Sequence, residues 1–443
     1  MSKAKTFKGG IHPSYNKHLS SDKEIVEAPL PEVVALPLNQ HIGAPAKPIV
    51  KRKDKVKAGQ LIAETGGFIS APVHASISGI VKAIEPVEHP LGKKVDAIII
   101  ESDGKDEWVE FNPVDNPFAA DADTIRDKIK EAGIVGLGGA TFPSNVKLSP
   151  PEDKKIDFVI LNGAECEPYL TTDHRLMVEK TEEVVTGLKL AAKVLGVDKI
   201  YIGIETNKPD AISKMEKEIG DDGQVIPLQV KYPQGSEKQL ISAITGRETP
   251  PTSLPMEVGA VVFNVGTCLA IYEAVFQGKP LFERVVTLTG HGVKNPGNFK
   301  IRLGTYVAEL VEFSGGYKDN AAKLVLGGPM MGRAVPTDGI PIIKGTGGIL
   351  VMTQSELIVR YYSDCIRCGK CIEACPNNHN PQLLGILIEK ERFDKISEEQ
   401  LEEIVLDDCF ECGSCTYVCP AHRPMVQFFQ QAKSYFNNKK KKR

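Results

Sequence analysis

Apolar positions change rhythm along the chain. From Pro29 to about Asp103 they come in short runs, VVALPL, GQLIAE, GIVKAIEP and DAIIIES, split by Gly, Pro and Asn. That pattern predicts short strands joined by tight turns. From about Asp121 to Val275, strand-like runs alternate with helical ones. DFVILN (157–162), KIYIGIE (199–205), VIPLQV and GAVVFNV read as buried strands. Residues 174–196, KPDAISKMEKEIG, GSEKQLISAITG and GTCLAIYEAVFQG read as helices. The alternation predicts an α/β layer with a largely parallel sheet. Residues 284–316 read strand, turn, strand, helix and Gly stop, and two helical connectors follow near the C-terminus. Residues 1–28 are polar and read as an extended arm.

A chain of 443 residues exceeds a single core, which rarely grows past about 250–300 residues, so several domains are expected. The 42% hydrophobic and 25% charged content is that of a globular protein, and a net charge of −3 excludes a surface built for nucleic acid. The start, MSKAKTFKGGIHPSYNK, lacks the apolar core of a leader. The most apolar stretch, VGAVVFNVGTCLAIYEAVF, carries Asn and Glu and suits a strand plus helix better than a span of about 20 apolar residues. A cytoplasmic protein, peripheral to a membrane, is expected. The ending KKKKR (Lys439–Arg443) is either a solvated tail or a hold on an anionic surface, worth about 1 kcal/mol per residue there.

Eight of the ten cysteines lie in two copies of C-x2-C-x2-C-x3-C-P, Cys365–Pro376 and Cys409–Pro420. Three close cysteines wrap three irons of a cubane cluster, and the fourth reaches the other cluster in two-cluster ferredoxins. Cys365, Cys368, Cys371 and Cys419 are thus expected to hold one [4Fe–4S] cluster. Cys409, Cys412, Cys415 and Cys375 are expected to hold the second. Gly369 and Gly413 free the backbone to wrap close, and Pro376 and Pro420 stop a helix. Structural zinc, the other use of clustered cysteines, favours two separated C-x2-C pairs. One-electron clusters call for a partner cofactor that joins them to two-electron chemistry, as a flavin does.

GIVGLGGATFPSNVKL (133–148) is glycine-rich, as loops that approach phosphate are. By itself it serves equally as a plain turn, and it is not the G-x-G-x-x-G fingerprint. DFVILNGAECEPYLTTDHRLM places Asn162, Glu165 and Glu167 just past a strand's C-terminal end, where open α/β sheets bind ligands. The two acids equally suit a helix N-terminus, and Lys147 a solvated surface. Cys166 and Cys268 read as inert buried thiols. The nine histidines are scattered and none is assigned a role; His379 and His422 lie near the cysteines in sequence.

Four resemblances follow from these residues. VKAGQLIAETGGFISAPVHASISGIVKAI resembles the barrel-sandwich fold of biotinyl and lipoyl carriers, but its turn, Glu64-Thr65-Gly66-Gly67-Phe68, has no lysine to modify. GLGGATFP, LNGAECEP, FNVGTCLAIYEAV and GTGGILVM resemble, in order, the flavin loop, acidic segment, Asn-Val-x-Thr segment and pre-cluster stretch of the flavoprotein subunit of respiratory complex I. Residues 284–316 resemble the small β-grasp module of soluble ligand-binding domains. FKGGIHP (7–13), the carrier-like region and the double cysteine motif together resemble the C subunit of Rnf complexes, over almost the whole chain.

The resemblance implies a multidomain α/β protein. Its divisions are an N-terminal arm (1–28), a barrel-sandwich β domain (29–120), an α/β Rossmann-like FMN/NADH domain (121–280) and a β-grasp domain with a return to the flavin domain (281–352). A two-cluster ferredoxin domain (353–432) and a basic tail (433–443) complete it. FMN would lie against Gly136, Gly138, Gly139 and Ala140, with Lys147 facing its phosphate. Phe142 would stack on a ring and Asn162 contact the flavin or its ribityl chain. Glu165 and Glu167 would approach the NADH riboses and the flavin edge, and Asn264 and Thr267 would close the far side. Thr141 and Cys166 stand where the complex I segments have glycine, which bears on how tightly FMN or NADH fits. The implied activity is hydride exchange between NAD(H) and FMN, with single electrons passed by two [4Fe–4S] clusters in an Na⁺- or H⁺-translocating ferredoxin:NAD oxidoreductase. The partners would be the other subunits of that membrane complex, including a ferredoxin-like iron–sulfur one. Two other readings use the same parts: a corrinoid reductase, whose family lacks this N-terminal region, and a non-catalytic iron–sulfur relay.

Overall fold

The computed structural model describes residues 4–357, 361–398 and 406–441. The last two residues of the basic ending lie outside them.

The region after the arm folds as two small antiparallel sheets facing each other. One orders the strands Val33–Pro37, Lys93–Ser102, Gly79–His89 and Lys55–Val56; the other orders Lys47–Pro48, Leu61–Glu64 and Val73–His74. Alternation along the strands puts Val34, Leu36, Ile62, Val81, Ile98 and Ile100 inside. Phe68, in the turn where a carrier would present its lysine, is 85% exposed.

The alternating region forms a four-stranded parallel sheet in the order Gln224–Leu228, Ile200–Glu205, Phe158–Gly163 and Ala260–Asn264. Its strands are almost wholly apolar because helices cover both faces. Residues 174–196, expected as one helix, form two, Thr172–Glu179 and Thr181–Leu195, because Lys180 leaves helical geometry at φ −130°, ψ 38°.

The next module is a six-stranded mixed sheet ordered Ile25–Glu27, Gly297–Arg302, Glu283–Thr289, Gly348–Thr353, Ala321–Leu326 and Arg333–Val335. Its first strand comes from the N-terminal arm, pairing Val26 with Phe299 in parallel. The arm is therefore a strap laced into the body. Lys5 bridges to Leu228 at the edge of the parallel sheet, Ile11 to Tyr232, and Tyr15 accepts from the Tyr169 N–H at 2.7 Å. The cysteine module is helical, its core built from Leu384, Ile388, Ile396, Met425, Phe429 and Phe436.

Candidate functional site

From the strand Phe158–Gly163 the chain adds strands on one side, then returns to add Ala260–Asn264 on the other. Ligands of open α/β sheets bind at such a reversal, beyond the strands' C-terminal ends. Asn162 and Asn264 stand opposite each other there. Asn264 caps the helix Val265–Phe276 by accepting from the Gly266 N–H at 2.9 Å, and it donates to Asp173 Oδ2 at 2.7 Å. Thr267, in that helix's first turn, accepts from the Leu137 N–H at 2.9 Å and so ties down the glycine loop. The Gly136 N–H closes the loop onto the Phe142 carbonyl at 2.9 Å. A Cβ on Gly138 would stand 3.2 Å from that of Asn264, whereas one on Gly139 would meet nothing. Gly138, Gly139 and Ala140 are exposed, so the loop offers an open backbone face. Lys147 ends the short helix Ser144–Lys147, pairs with Glu237 Oε1 at 2.7 Å and lies 5.7 Å from the centre of the Phe263 ring.

The acids turn inward. Glu165 accepts from the N–H groups of Asp173 (2.7 Å) and His174 (3.3 Å), capping the helix Thr172–Glu179. Glu167 accepts from the N–H groups of Met330 (3.1 Å) and Met331 (2.7 Å), and burial pushes its carboxyl up to about 7. Two buried lysines hold this segment from below. Lys17 donates to the carbonyls of Glu165 (2.8 Å), Glu167 (3.0 Å) and Leu170; Lys208 donates to that of Ala164 (2.8 Å) and to Glu205 Oε2 (3.0 Å). Asp173, which sequence reasoning passed over, lies half-buried beside Asn264. Burial, then the charge of Glu165, raises it to about 7 against the hydrogen bond from Asn264. Its signal was its place at the start of a helical pattern just after the acids. Lys17 gave none, since it arrives from the remote arm.

The cysteine motifs fold alike. In each, a glycine in left-handed geometry, Gly369 at φ +78° or Gly413 at φ +79°, starts a short helix carrying the third cysteine. After burial, the Cys371 thiol is raised by charge on Cys419, Cys365 and Cys368. The Cys409 thiol is raised by burial and then by Cys412 and Cys375. The Cys415 thiol is raised by burial and then by Cys412, Cys409 and Cys375, with Cys371 last. Neighbouring thiols thus sort as Cys365, Cys368 and Cys371 with Cys419, and Cys409, Cys412 and Cys415 with Cys375, while Cys415 also senses Cys371. The second group is the more enclosed, with Cys412 and Cys415 buried, while Cys368 of the first is exposed. Cys412 joins Ile11, Cys166, Tyr232 and Ala374 in a buried cluster that reaches the segment following the strand Phe158–Gly163.

The residues suit the groups expected of them. Gln234 is fully buried with neither side-chain amide atom paired among the described residues, in a loop that Asn162 holds through the Gly235 carbonyl at 2.7 Å. The exposed backbone of Gly138, Gly139 and Ala140 fits close approach by a phosphate-bearing cofactor. Eight cysteines in two C-x2-C-x2-C-x3-C-P motifs are the donor set of two [4Fe–4S] clusters rather than of zinc, which favours separated C-x2-C pairs.

Comparison with known proteins agrees module by module. Residues 5–105 match the RnfC barrel sandwich hybrid domain, 129–273 the Nuo51 FMN-binding domain, 285–334 the SLBB domain and 361–438 the 4Fe-4S dicluster domain. The chain is 50% identical over 397 residues, 89% of its length and 87% of the relative's, to the C subunit of the proton-translocating ferredoxin:NAD(+) oxidoreductase complex of Clostridium ljungdahlii. It is 48% identical over 396 residues, 88% of its length and 89% of the relative's, to the Na(+)-translocating counterpart of Acetobacterium woodii. The chain belongs to the family of Rnf C subunits. Its FMN-binding and dicluster domains make FMN and [4Fe–4S] clusters its cofactors. Among solved structures, an NAD+-reducing [NiFe]-hydrogenase in its H2-reduced state is similar at a TM-score of 0.50 and 19% identity, covering 73% of this chain and 64% of that one. That likeness speaks for a shared fold. The match over residues 5–105 weighs against the corrinoid-reductase reading, whose family lacks that region.

Proposed function

We propose that this Rnf-family chain is the NAD(H)-reactive, electron-transferring subunit of an ion-translocating ferredoxin:NAD oxidoreductase. Bound FMN would supply hydride exchange with NAD(H) and a link from that two-electron chemistry to the one-electron [4Fe–4S] clusters. The observation that carries the reading is the buried cluster of Cys166, Tyr232 and Cys412, which joins the flavin-side segment directly to the inner cysteine group. The chain's own task is placement. The exposed backbone of Gly138–Ala140 would lie along the flavin, in a Rossmann-like sheet whose reversal sets Asn162 and Asn264 on either side. Phe142 flanks that face and Thr267 holds the loop to the sheet. Lys147 sits where a phosphate would compete with Glu237 for it. Glu165 and Glu167 shape the nicotinamide side through the backbone they tie together, and Asp173 holds a proton near neutrality at the base of the cleft. Hydride transfer needs mainly proximity and orientation, so no separate acid–base dyad is required.

Cys365, Cys368, Cys371 and Cys419 form the outer group in this reading. Tyr361, Ile366, Ile372 and Tyr417 are exposed in the same module. Such a surface suits a protein partner with its own one-electron centre, in keeping with an iron–sulfur subunit of the complex. Among the described residues no helix is long and apolar enough to cross a membrane. Attachment at the cytoplasmic face would then come from partner subunits, helped by the basic ending.

The test is anaerobic. The protein is reconstituted with iron, sulfide and FMN, and NADH is added stepwise while flavin absorbance and cluster EPR are followed. Immediate bleaching, with cluster signals that an artificial one-electron acceptor then drains, is expected. Bound FMN that NADH leaves oxidised would overturn the reading.

A further inference from the structure

The segment FKGGIHP, so far without a role, runs through the joint between the flavin and cysteine modules. Ile11 and Tyr232 exchange backbone hydrogen bonds, with the Ile11 N–H donating at 2.8 Å and that of Tyr232 at 2.9 Å. The Gly10 N–H donates at 3.0 Å to the carbonyl of Ala374, next to Cys375. Tyr232, 1% exposed, donates its hydroxyl at 2.7 Å to the carbonyl of Cys412. One rung therefore reaches each cysteine motif. On the flavin side of the same loop, Asn162 holds the Gly235 carbonyl, and the Gly235 N–H donates to Cys166 Sγ at 3.2 Å.

The two glycines are required by space as well as by conformation. Gly9 sits at φ +80°, and a Cβ there would stand 2.6 Å from the Cys375 carbonyl oxygen. Gly10 sits at φ +79°, and its Cβ would stand 2.6 Å from the Tyr232 carbonyl oxygen and 2.8 Å from the Phe7 ring. Any other residue forces backbone to shift where it leads to the cysteines. Phe7 is anchored in turn, its carbonyl accepting from Lys231 Nζ at 2.9 Å, with that ammonium 4.6 Å from the ring centre.

We propose that Gly9, Gly10 and Tyr232 form a positioning joint that seats Cys375, Cys409, Cys412 and Cys415 as the inner cysteine group against the flavin-side loop. This rests on the electron-transfer reading above. None of the three touches a reacting atom. They act by fixing the backbone of Cys375 and Cys412, and hydrogen bonding around cluster ligands sets reduction potential.

The test compares full-length, reconstituted wild type with Gly10→Ala, Tyr232→Phe and Gly92→Ala. The last is the control, since Gly92 has φ +74° and a Cβ there meets nothing. Redox titration with mediators, read by EPR, gives each cluster's midpoint. Stopped flow separates flavin bleaching by NADH from electron delivery to a one-electron acceptor. In Gly10→Ala and Tyr232→Phe, the EPR signal also lost in Cys409→Ala should shift its midpoint. Delivery should slow at least tenfold while bleaching stays within about twofold of wild type. Gly92→Ala should match wild type throughout. If Gly10→Ala fails to hold clusters, Tyr232→Phe decides, since it keeps the ring and deletes only the hydroxyl. Variants with both clusters in place and wild-type midpoints and delivery would overturn the joint. Failure of NADH to bleach the wild type would instead overturn the electron-transfer reading, while the mediator titration still judges the joint.

Discussion

Lys344 sits where three modules meet. It is 1% exposed, and its side chain donates to the carbonyls of Pro72 in the barrel (2.9 Å) and Gly133 at the entry to the glycine loop (2.7 Å). Its backbone N–H donates to Gln40 Oε1 at 3.1 Å. Burial pushes its pKa down to about 7. An unfolded lysine titrates near 10.4, so between about 7 and 10.4 the unfolded chain carries the extra proton. Stability then rises with pH across that window, and the cost of the buried charge is present in full below it. At about 1.4 kcal/mol per unit, the gain from pH 7.5 to 9.5 is about 2–3 kcal/mol. The neutral amine keeps two N–H groups, enough for both carbonyls, so losing the proton removes no hydrogen bond. Asp173, Glu167 and Glu309 are raised to about 7 and contribute their slope below the window. His74, lowered to about 3, is neutral in both states there. The raised thiols of Cys166 and Cys268 pull the other way but do so equally in a variant. Lys344→Met keeps the stem and strands two carbonyls, an offset of about 1–3 kcal/mol each that does not depend on pH. Urea unfolding at several pH values, read from the fluorescence of the single tryptophan, Trp108, is the assay. Trp108 packs 5.2 Å from Phe282 and 4.9 Å from the Arg302 guanidinium, close to the same junction. The stability of wild type minus that of the variant should climb by about 2–3 kcal/mol from pH 7.5 to 9.5. Parallel pH curves would refute the buried-charge argument.

Other consequences can be checked on the reconstituted protein. Cys375→Ala should abolish the same EPR signal as Cys409→Ala, and Cys419→Ala the same as Cys365→Ala; signals that instead sort by motif would dissolve the crossed grouping. Asp173 gains its charge near pH 7, and a negative charge by the flavin lowers its potential. The flavin midpoint should therefore fall more steeply between pH 6 and 8 in wild type than in Asp173→Asn, and equal slopes in a potentiometric titration would remove Asp173 from the site. Asn264→Ala loses a helix cap worth about 1 kcal/mol as well as the hydrogen bond to Asp173. FMN affinity, followed by quenching of free flavin fluorescence, should drop at least tenfold, and an unchanged Kd would count against the cleft at the strand reversal.

The parallel sheet was legible because its strands are buried on both faces and read as near-continuous apolar runs. The cysteine motifs were legible because ligand spacing is local. The break at Lys180 was not, since no proline or glycine marks it. The strap was not either: its contacts run through backbone groups and single side chains such as Lys17, and these leave no periodicity. For Glu165 and Glu167, position past a strand end could be read, but the direction of the carboxylates could not. Glu165 sits at φ +45°, and that local geometry turns its side chain onto the following helix.

Three buried lysines share one physical task that composition hides. Lys17, Lys208 and Lys344 each donate to main-chain carbonyls, together those of Glu165, Glu167, Leu170, Ala164, Pro72 and Gly133. Carboxylates accompany two of them as well, Glu205 at 3.0 Å from Lys208 and Glu165 at 3.9 Å from Lys17. Segments that line a cleft at the ends of strands have left the sheet and lost its ladder, yet modules packed around them keep water out. Their carbonyls still need donors. An ammonium on a long stem supplies up to three from outside the segment. Two of the three lysines come from outside the parallel-sheet module, Lys17 on the strap and Lys344 in the loop between the strands Arg333–Val335 and Gly348–Thr353 of the six-stranded sheet. The backbone around the cleft is therefore complete only when the strap and that loop of the six-stranded sheet are in place. This gives a physical reason for one chain to carry all the modules: the loops that would hold the flavin depend on donors that the flavin module lacks.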